Sequence, residues 1–101
     1  MISVICPCYN SEKYIEQTIQ CLLDQIQVNF KFEVIFIDDG STDQTLNILK
    51  KSEYLFLEKK IIIKIKSQNN CGAGAARNTG IEYAQFNYIA FLDADDYWVA
   101  N

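Results

Sequence analysis

The sequence contains no histidine, a single proline and a single arginine. Without histidine there is no histidine-based acid–base catalysis, no Ser-His-Asp triad and no His-ligated zinc site. Nine Lys and Arg residues stand against thirteen Asp and Glu residues, which gives a net charge of −4. We therefore do not expect nucleic acid as a partner, because binding its phosphates requires clustered basic residues. The chemistry of this chain must come from carboxylates, backbone amides or cysteine.

Long hydrophobic runs are also missing. The longest, residues 88–92, is far shorter than the roughly 20 residues that span a bilayer, and the sequence has no secretory signal. The four cysteines, Cys6, Cys8, Cys21 and Cys71, lack the spacing of a zinc site. A hydrophobic content of 50% over 101 residues can form a core without disulfides. We therefore expect one compact domain, reduced cysteines and a cytoplasmic location.

Short β-branched runs alternate with segments of helical periodicity. Strands are predicted over residues 2–6, 33–37, 61–66 and 88–92, and helices over 11–26, from about 41, and over 73–85. Such alternation is typical of an α/β fold with a Rossmann-like parallel sheet of about four strands and helices on both faces. The apolar strands, including 88–92, are expected in the buried interior of that sheet.

Several local signals refine this prediction. Asn10 or Ser11 can cap the first helix, and Ser41 with Gln44 forms a capping box for the second. Pro7 is expected to end the first strand.

Charge and glycine patterns add two further expectations. Lys64 and Lys66 alternate with Ile63 and Ile65, which is typical of an edge strand. Gly74 and Gly80 weaken the third helix, so we expect close packing or a ligand beside them.

Each predicted strand is followed by a polar cluster. The clusters are residues 7–10, 38–41, 67–72 and 93–96. In open parallel sheets the ligand crevice lies outside the carboxyl ends of the strands, so the four clusters should converge on one surface. This convergence predicts a binding site there.

Six of the seven aspartates fall in or next to the clusters after the second and fourth strands. Carboxylates so close together repel one another unless a cation or a donor-rich ligand compensates, and oxygen ligands suit Mg²⁺ or Mn²⁺. Alternatively, aspartates commonly cap helices and form turns, and we favour that role for Asp43. For Asp93, Asp95 and Asp96 we favour the metal, because three carboxylates exceed what one turn requires.

Three further features each allow two interpretations. The segment from Gly72 to Gly80 opens a helix where backbone amides can meet a phosphate, although alone it is weak evidence. Arg77 either pairs with an aspartate or holds a base or phosphate through its planar fork. Tyr9 either packs at the strand end or stacks on a flat ligand ring.

Four motifs in sequence order resemble the family 2 glycosyltransferases. They are Pro7-Cys8-Tyr9-Asn10, Asp38-Asp39-Gly40-Ser41-Thr42-Asp43, the segment from Asn70 to Gly80, and Asp93-Ala94-Asp95-Asp96 with its Asp-x-Asp pattern. The resemblance covers essentially all 101 residues. It implies a glycosyltransferase A fold, a nucleotide-diphospho-sugar donor, a divalent cation and inversion at the anomeric carbon.

The resemblance also implies roles for individual residues. Pro7, Cys8 and Tyr9 would line the base pocket, and Asp39 would accept a hydrogen bond from the base, commonly uracil. Arg77 and Gly72 would help to hold the nucleotide. Asp93 would lie near the ribose and contribute to the metal site, and Asp95 and Asp96 would bind the metal. The cation would be Mn²⁺ or Mg²⁺, and the donor a UDP-sugar.

The resemblance does not supply a general base. In this family the acceptor-activating carboxylate and the acceptor site lie in the second half of the domain. We therefore interpret residues 1–101 as the nucleotide-sugar-binding part of a longer enzyme, and we expect this part to be inactive alone. The full-length enzyme is expected in the cytoplasm or at the cytoplasmic face of a membrane. The acceptor, whether a glycan, a lipid-linked molecule or a protein, is not identified, and an uncovered sheet edge predicts self-association.

The alternative is a non-catalytic nucleotide- or metal-binding module, including a receiver-like regulatory domain. A receiver needs an acidic pair after its first strand. Here the first strand is followed by Pro-Cys-Tyr-Asn, so the receiver pattern fails.

Overall fold

The computed structural model describes residues 1–25 and 32–93. These residues form four strands and three helices in strict alternation. The elements are β1 (Ile2–Cys8), α1 (Ile15–Asp24), β2 (Phe32–Asp39), α2 (Thr45–Glu58), β3 (Ile62–Gln68), α3 (Ala73–Tyr83) and β4 (Tyr88–Phe91). The predicted α/β fold class is confirmed.

All four strands are parallel, and the sheet order is β3-β2-β1-β4. β1 lies in the interior, with Val4 beside Val34 of β2 and Ile5 beside Phe91 of β4. β3 is an edge strand, as its lysines predicted. The carboxyl ends of all four strands therefore lie at one edge of the sheet.

Helices cover both faces of the sheet, as predicted. On the first face, Val4, Val34 and Phe36 pack with apolar residues of α1 and α2. Phe36 meets Phe56 of α2 edge to face, with ring centroids 5.9 Å apart. On the second face, Ile5, Ile35 and Ile37 form a smaller cluster with Ala76 of α3. Because strand side chains alternate between faces, even-numbered residues of β1 and β2 face α1 and α2, and odd-numbered residues face α3.

The two glycines of α3 differ in their surroundings. A Cβ atom on Gly80 would lie 2.3 Å from Cγ2 of Ile5, so α3 approaches β1 more closely than any side chain would allow. A Cβ atom on Gly74 would meet nothing within 4 Å. Close packing therefore explains Gly80 and does not explain Gly74.

The first strand continues through Pro7, which contradicts the prediction that Pro7 ends it. Pro7 lies beside Ile37 in the parallel register and is buried. The carbonyl of Ile5 accepts a hydrogen bond from the N–H of Leu92, so Ile5 and, two residues on, Pro7 direct their backbone groups toward the β4 side. The next ladder bond on that side would run from residue 7 to the carbonyl of Leu92, so the N–H that proline lacks coincides with the end of the pairing with β4 at Phe91.

The predicted side-chain caps are wrong. α1 begins at Ile15 after a turn in which the N–H groups of Tyr14 and Ile15 donate to the carbonyl of Ser11. Neither Tyr14 before α1 nor Gln44 before α2 caps its helix with its side chain, and the N–H of Thr45, the first residue of α2, donates to Asp43 instead. The predicted end of α1 at residue 26 lies outside the described residues.

The interior position predicted for the fourth strand is also wrong. Among the strands of residues 1–25 and 32–93, β4 lies at the edge, and its Tyr88, Ile89 and Phe91 are exposed, Tyr88 by 73%. Within residues 1–25 and 32–93, no helix combines the length and apolar character needed to cross a membrane.

A buried carboxylate anchors the sheet at the end opposite the polar clusters. Glu33 of β2 is fully buried and accepts hydrogen bonds from the hydroxyl of Ser3 at 2.6 Å and the N–H of Gln85 at 2.8 Å. Lys64 lies 3.2 Å from its other oxygen. Burial alone would raise the pKa of Glu33, but these donors and the lysine charge lower it below its ordinary value.

Candidate functional site

An open cleft of about 270 Å³ lies at the carboxyl edge of the sheet, on the face that carries α3. Its lining comes from the end of β1 and the residue after it, the end of β2, the loop between β3 and α3 with the first residue of α3, and the segment after β4. The lining residues are Pro7, Tyr9, Asp39, Asn70, Gly72, Ala73 and Asp93. The predicted convergence of the polar clusters is therefore observed for the residues the structure describes.

Asp39, the last residue of β2, is the most constrained carboxylate in the cleft. It is only 3% exposed. Its Oδ1 accepts hydrogen bonds from Nε2 of Gln68 and the N–H of Cys71, and its Oδ2 accepts one from the N–H of Gly72, each 2.9 Å long. Burial alone would raise the pKa of Asp39, but these three donors lower it below its ordinary value. Asp39 is therefore held ionised at neutral pH.

The loop after β3 reaches Asp39 because the turn after β2 leaves room for it. Gly40 has a φ of +73°, a left-handed conformation that glycine adopts readily. A Cβ atom on Gly40 would lie 2.8 Å from the backbone nitrogen of Asn70. A side chain here would push the two loops apart, and Cys71 and Gly72 could no longer donate to Asp39.

The loops after β1 and β2 bind each other through reciprocal hydrogen bonds. The N–H of Asn10 donates to the hydroxyl of Ser41 at 3.0 Å, and Oδ1 of Asn10 accepts from the N–H of Thr42 at 2.8 Å. Next to this pair, the N–H of Glu12 donates to Asp43, and the carboxylate of Glu12 accepts from the N–H of Gln44. Asn10 and Ser41, which the local sequence pattern predicted as helix caps, thus form hydrogen bonds between the two loops instead.

The three candidate residues at the end of β1 divide between the two faces of the sheet. Pro7 and Tyr9 line the cleft, and Tyr9 is 51% exposed. Cys8 is buried on the opposite face, where its thiol lies 3.9 Å from that of Cys6. The side chain of Cys8 is therefore not in the cleft, and only its backbone can contact a ligand there.

Arg77 of α3 pairs with Asp93. Its guanidinium lies 3.0 Å from Oδ1 of Asp93, and both side chains are partly exposed. Of the two interpretations open for Arg77, the pairing with an aspartate is the one observed. Since Asp93 lines the cleft, Arg77 lies at its rim.

The remaining aspartates after β2 have different environments. Burial alone would raise the pKa of Asp43, but hydrogen bonds from the hydroxyl and N–H of Thr45 and from the N–H of Glu12 lower it. Asp43 is thus a turn residue, as expected. Asp38 is 3% exposed, and its Oδ1 meets no hydrogen-bond donor within the described part of the chain. Hydrogen-bond donors therefore surround the carboxylates of Asp39 and Asp43, and Asp38 differs from both.

The predicted metal site is only partly described. Asp93 stands at the cleft, whereas Asp95 and Asp96 lie outside the described residues. Over residues 1–25 and 32–93, no three Cys, Asp or Glu side chains are grouped as ligands of one ion. A carboxylate at the rim of the cleft is chemically suited to Mg²⁺ or Mn²⁺.

Sequence reasoning missed Asn70 and Ala73 in the cleft lining, and Gln68 beside Asp39. Asn70 and Gln68 belong to the polar cluster after the third strand, but nothing in that run distinguishes them from their neighbours. Gly72, which was selected, contributes its N–H to Asp39.

Comparison with known proteins gives a consistent result. Residues 3–101 match the family model described as Glycosyl transferase family 2. The chain is 43% identical over 98 residues to the putative teichuronic acid biosynthesis glycosyltransferase TuaG of Bacillus subtilis, covering 97% of this chain and 37% of TuaG.

Solved structures agree in fold. The crystal structure of Staphylococcus aureus TarS 1–349 in complex with UDP-GlcNAc superposes with a TM-score of 0.82 and 40% identity, over 95% of this chain and 27% of that one. The mannosyltransferase PcManGT of Pyrobaculum calidifontis, in complex with GDP-Man and Mn²⁺, gives a TM-score of 0.85 and 26% identity, over 96% and 28%. The sheet and its helices thus match the Rossmann-like part of a glycosyltransferase A fold.

Proposed function

The chain belongs to glycosyl transferase family 2, and on that premise we propose that it binds a nucleotide-diphospho-sugar in the cleft at the carboxyl edge of its sheet. The observation that carries this proposal is the cleft itself, whose lining includes the ionised, hydrogen-bonded Asp39, the exposed Tyr9, and Asp93 in its pair with Arg77. The donor we propose is a UDP-sugar, because TarS, at 40% identity, was crystallised with UDP-GlcNAc.

Within this cleft the nucleoside would lie between the β1 and β3 loops. Pro7 and Tyr9 supply an apolar surface and an aromatic ring on which a base can stack. Cys8 contributes only backbone, since its side chain faces the core. Asp39 accepts an N–H of the base, and the backbone of Gly72, which holds Asp39, lies beside it. These roles make the cleft a nucleotide site with one anionic acceptor at its floor.

Asp93 and Arg77 would act at the rim. The Asp93 carboxylate is placed to accept a ribose hydroxyl or to bind a cation, and Arg77 orients it and adds positive charge for the nucleotide. Together with Asp95 and Asp96, Asp93 would hold Mn²⁺ or Mg²⁺. When bound, the cation would neutralise charge that builds on the departing nucleoside diphosphate.

Activity and extent are further parts of the proposal. We propose residues 1–101 as the donor-binding part of a longer inverting glycosyltransferase, since the chain spans 37% of the length of TuaG. No residue of this sequence is assigned as the general base. The cytoplasmic location and self-association through the exposed β4 edge stay predictions, and no acceptor is assigned.

Calorimetric titration of the purified protein with UDP, with and without Mn²⁺, tests the proposal. We expect saturable binding that is tighter with Mn²⁺. A folded sample that binds UDP under neither condition would contradict the proposed function.

The metal assignment has its own test. Asp95→Ala should remove the gain in UDP affinity that Mn²⁺ provides. Asp24→Ala, a change of the same kind on an exposed position of α1, is the matched control and should leave that gain intact. If Asp95→Ala responds to Mn²⁺ as the unmodified protein does, the metal ligands lie elsewhere.

A further inference from the structure

Behind Asp39, two side chains form a hydrogen-bonded relay that leads away from the cleft. Gln68 of β3 lies beside Asp39 in the parallel register and donates from Nε2 to Oδ1 of Asp39 at 2.9 Å. The hydroxyl of Thr79, on α3, lies 2.6 Å from Oε1 of Gln68 and 3.0 Å from the carbonyl of Ala75. The relay thus links α3, β3 and the floor of the cleft.

The chemistry of the three groups fixes the direction of this relay. An ionised carboxylate only accepts hydrogen bonds, so Gln68 must turn its NH₂ group toward Asp39. Its oxygen then points to Thr79, whose hydroxyl must donate. The single hydroxyl hydrogen of Thr79 can go to Gln68 or to the carbonyl of Ala75, and the contact to Gln68 is the shorter. The opposite rotamer of the Gln68 amide would place its oxygen against the Asp39 carboxylate, two acceptors facing each other.

Within residues 1–25 and 32–93, the donors around Asp39 leave one of its acceptor positions open. A carboxylate offers about four acceptor positions. Gln68 and the N–H of Cys71 occupy two on Oδ1, and the N–H of Gly72 occupies one on Oδ2. Because Asp39 lines the cleft, the remaining position on Oδ2 is the one available to a ligand, and it can only accept.

We propose that Gln68 and Thr79 are positioning residues that aim this last acceptor of Asp39 and thereby select a base with an N–H at that point. The inference rests on the proposed function, since it needs a nucleotide in the cleft. Uracil carries a hydrogen on its ring N3, whereas cytosine has a bare lone pair there, which an aimed carboxylate repels. The relay therefore makes the site prefer UDP to CDP.

Four variants of the purified protein, titrated with UDP and with CDP, test the relay. Gln68→Leu should weaken UDP binding about tenfold, because Asp39 loses a donor and its fixed orientation. CDP affinity should change little, so the ratio of the two affinities falls. Thr79→Val should lower the ratio in the same direction, and Thr79→Ser, which keeps the hydroxyl, should restore it.

Gln20→Leu is the matched control. Gln20 also donates its amide to a carboxylate, Oδ1 of Asp24, but on the exposed side of α1. The Gln20→Leu variant should bind UDP and CDP as tightly as the unmodified protein does. This result would separate the effect of losing the relay from the effect of losing any amide–carboxylate hydrogen bond. If Gln68→Leu fails to fold, the comparison of Thr79→Val with Thr79→Ser decides.

The outcomes separate the two levels of inference. An unmodified protein that binds no UDP overturns the proposed function and the relay with it. If the unmodified protein binds UDP, and the Gln68→Leu and Thr79→Val variants keep its ratio of UDP to CDP affinity, the proposed role of the relay is wrong and the proposed function stands.

Discussion

The contact between Gly80 and Ile5 allows a sharp test of how α3 sits on the sheet. A Cβ atom at residue 80 would lie 2.3 Å from Cγ2, 3.2 Å from Cγ1 and 3.3 Å from Cβ of Ile5. Ile5 is fully buried on interior strand β1 and branches at Cβ, so it has no flexible end that could move aside. Gly80→Ala must therefore displace α3 or strain the sheet.

The magnitude follows from two opposing effects. Overpacking a buried contact typically costs about 1–3 kcal/mol, and a contact this short belongs near the upper end. Replacing glycine by alanine within a helix gains about 1 kcal/mol. We expect Gly80→Ala to lower the free energy of unfolding by about 2 kcal/mol.

Gly74→Ala is the matched control, because it makes the same substitution in the same helix with no atom within 4 Å of the new Cβ. It should raise the free energy of unfolding by about 0.5–1 kcal/mol. The difference between the two variants removes the helix-propensity contribution and isolates the steric cost. Urea denaturation followed by circular dichroism measures both values.

A double variant locates the cost in the named pair. Ile5→Ala alone should destabilise the protein by about 2–5 kcal/mol, since it opens a cavity in the core. In the double variant Ile5→Ala/Gly80→Ala, the loss of unfolding free energy should be smaller than the sum of the losses in the two single variants. The reason is that the methyl group introduced at position 80 enters the space that Cγ1 and Cγ2 of Ile5 vacate. A Gly80→Ala protein at least as stable as the unmodified one would refute the close approach of α3 to β1.

Two further predictions concern charge and loop geometry. Glu33 has a folded-state pKa below its ordinary value of 4.5, so the stability it contributes is present above that value and is lost as pH falls through the lowered folded-state pKa. Glu33→Gln should therefore flatten the acid side of a plot of unfolding free energy against pH, and an unchanged slope would contradict this reasoning. Asn10→Ala should destabilise the protein by about 1–2 kcal/mol, because it removes the acceptor for Thr42 and places alanine at a φ of +47°. Asn10→Gly, which keeps that φ without strain, should lose about 1 kcal/mol less, as urea denaturation can show.

The alternation of strands and helices could be predicted because its signals are local. Period-2 and period-3.6 patterns need only neighbours a few residues away, and the polar clusters fall wherever a strand ends. Once the strands are parallel, their carboxyl ends share one edge, so the convergence of Asp39, Gly72 and Asp93 on one cleft followed from the sequence.

The parts that could not be predicted depend on partners distant in the chain. Asn10 and Ser41 carry cap-like side chains, but they bind across loops 31 residues apart, which no local pattern encodes. Glu33 has the pattern of a polar residue at the start of a strand, although it is buried, with the charge of Lys64 and a hydrogen bond from Ser3 compensating its carboxylate. The strand 88–92 is as apolar as an interior strand, and only the order β3-β2-β1-β4 places it at the edge.

The alternation of side chains along a strand explains which polar residues reach the cleft. Ile35 and Ile37 face α3, so Asp39 continues that row into the cleft, while Asp38 follows Phe36 toward α1 and α2. The same parity separates Pro7 and Tyr9 from the neighbouring Cys8. Where a strand ends in two successive polar residues, each one shares the face of the residue two positions before it. In β2 the residue on the face of α3, Asp39, is therefore the one that reaches the cleft. In β3 the same alternation places Gln68 on the face of Lys64 and Lys66, which is the face of Asp39, so Gln68 reaches Asp39 from the neighbouring strand without lining the cleft.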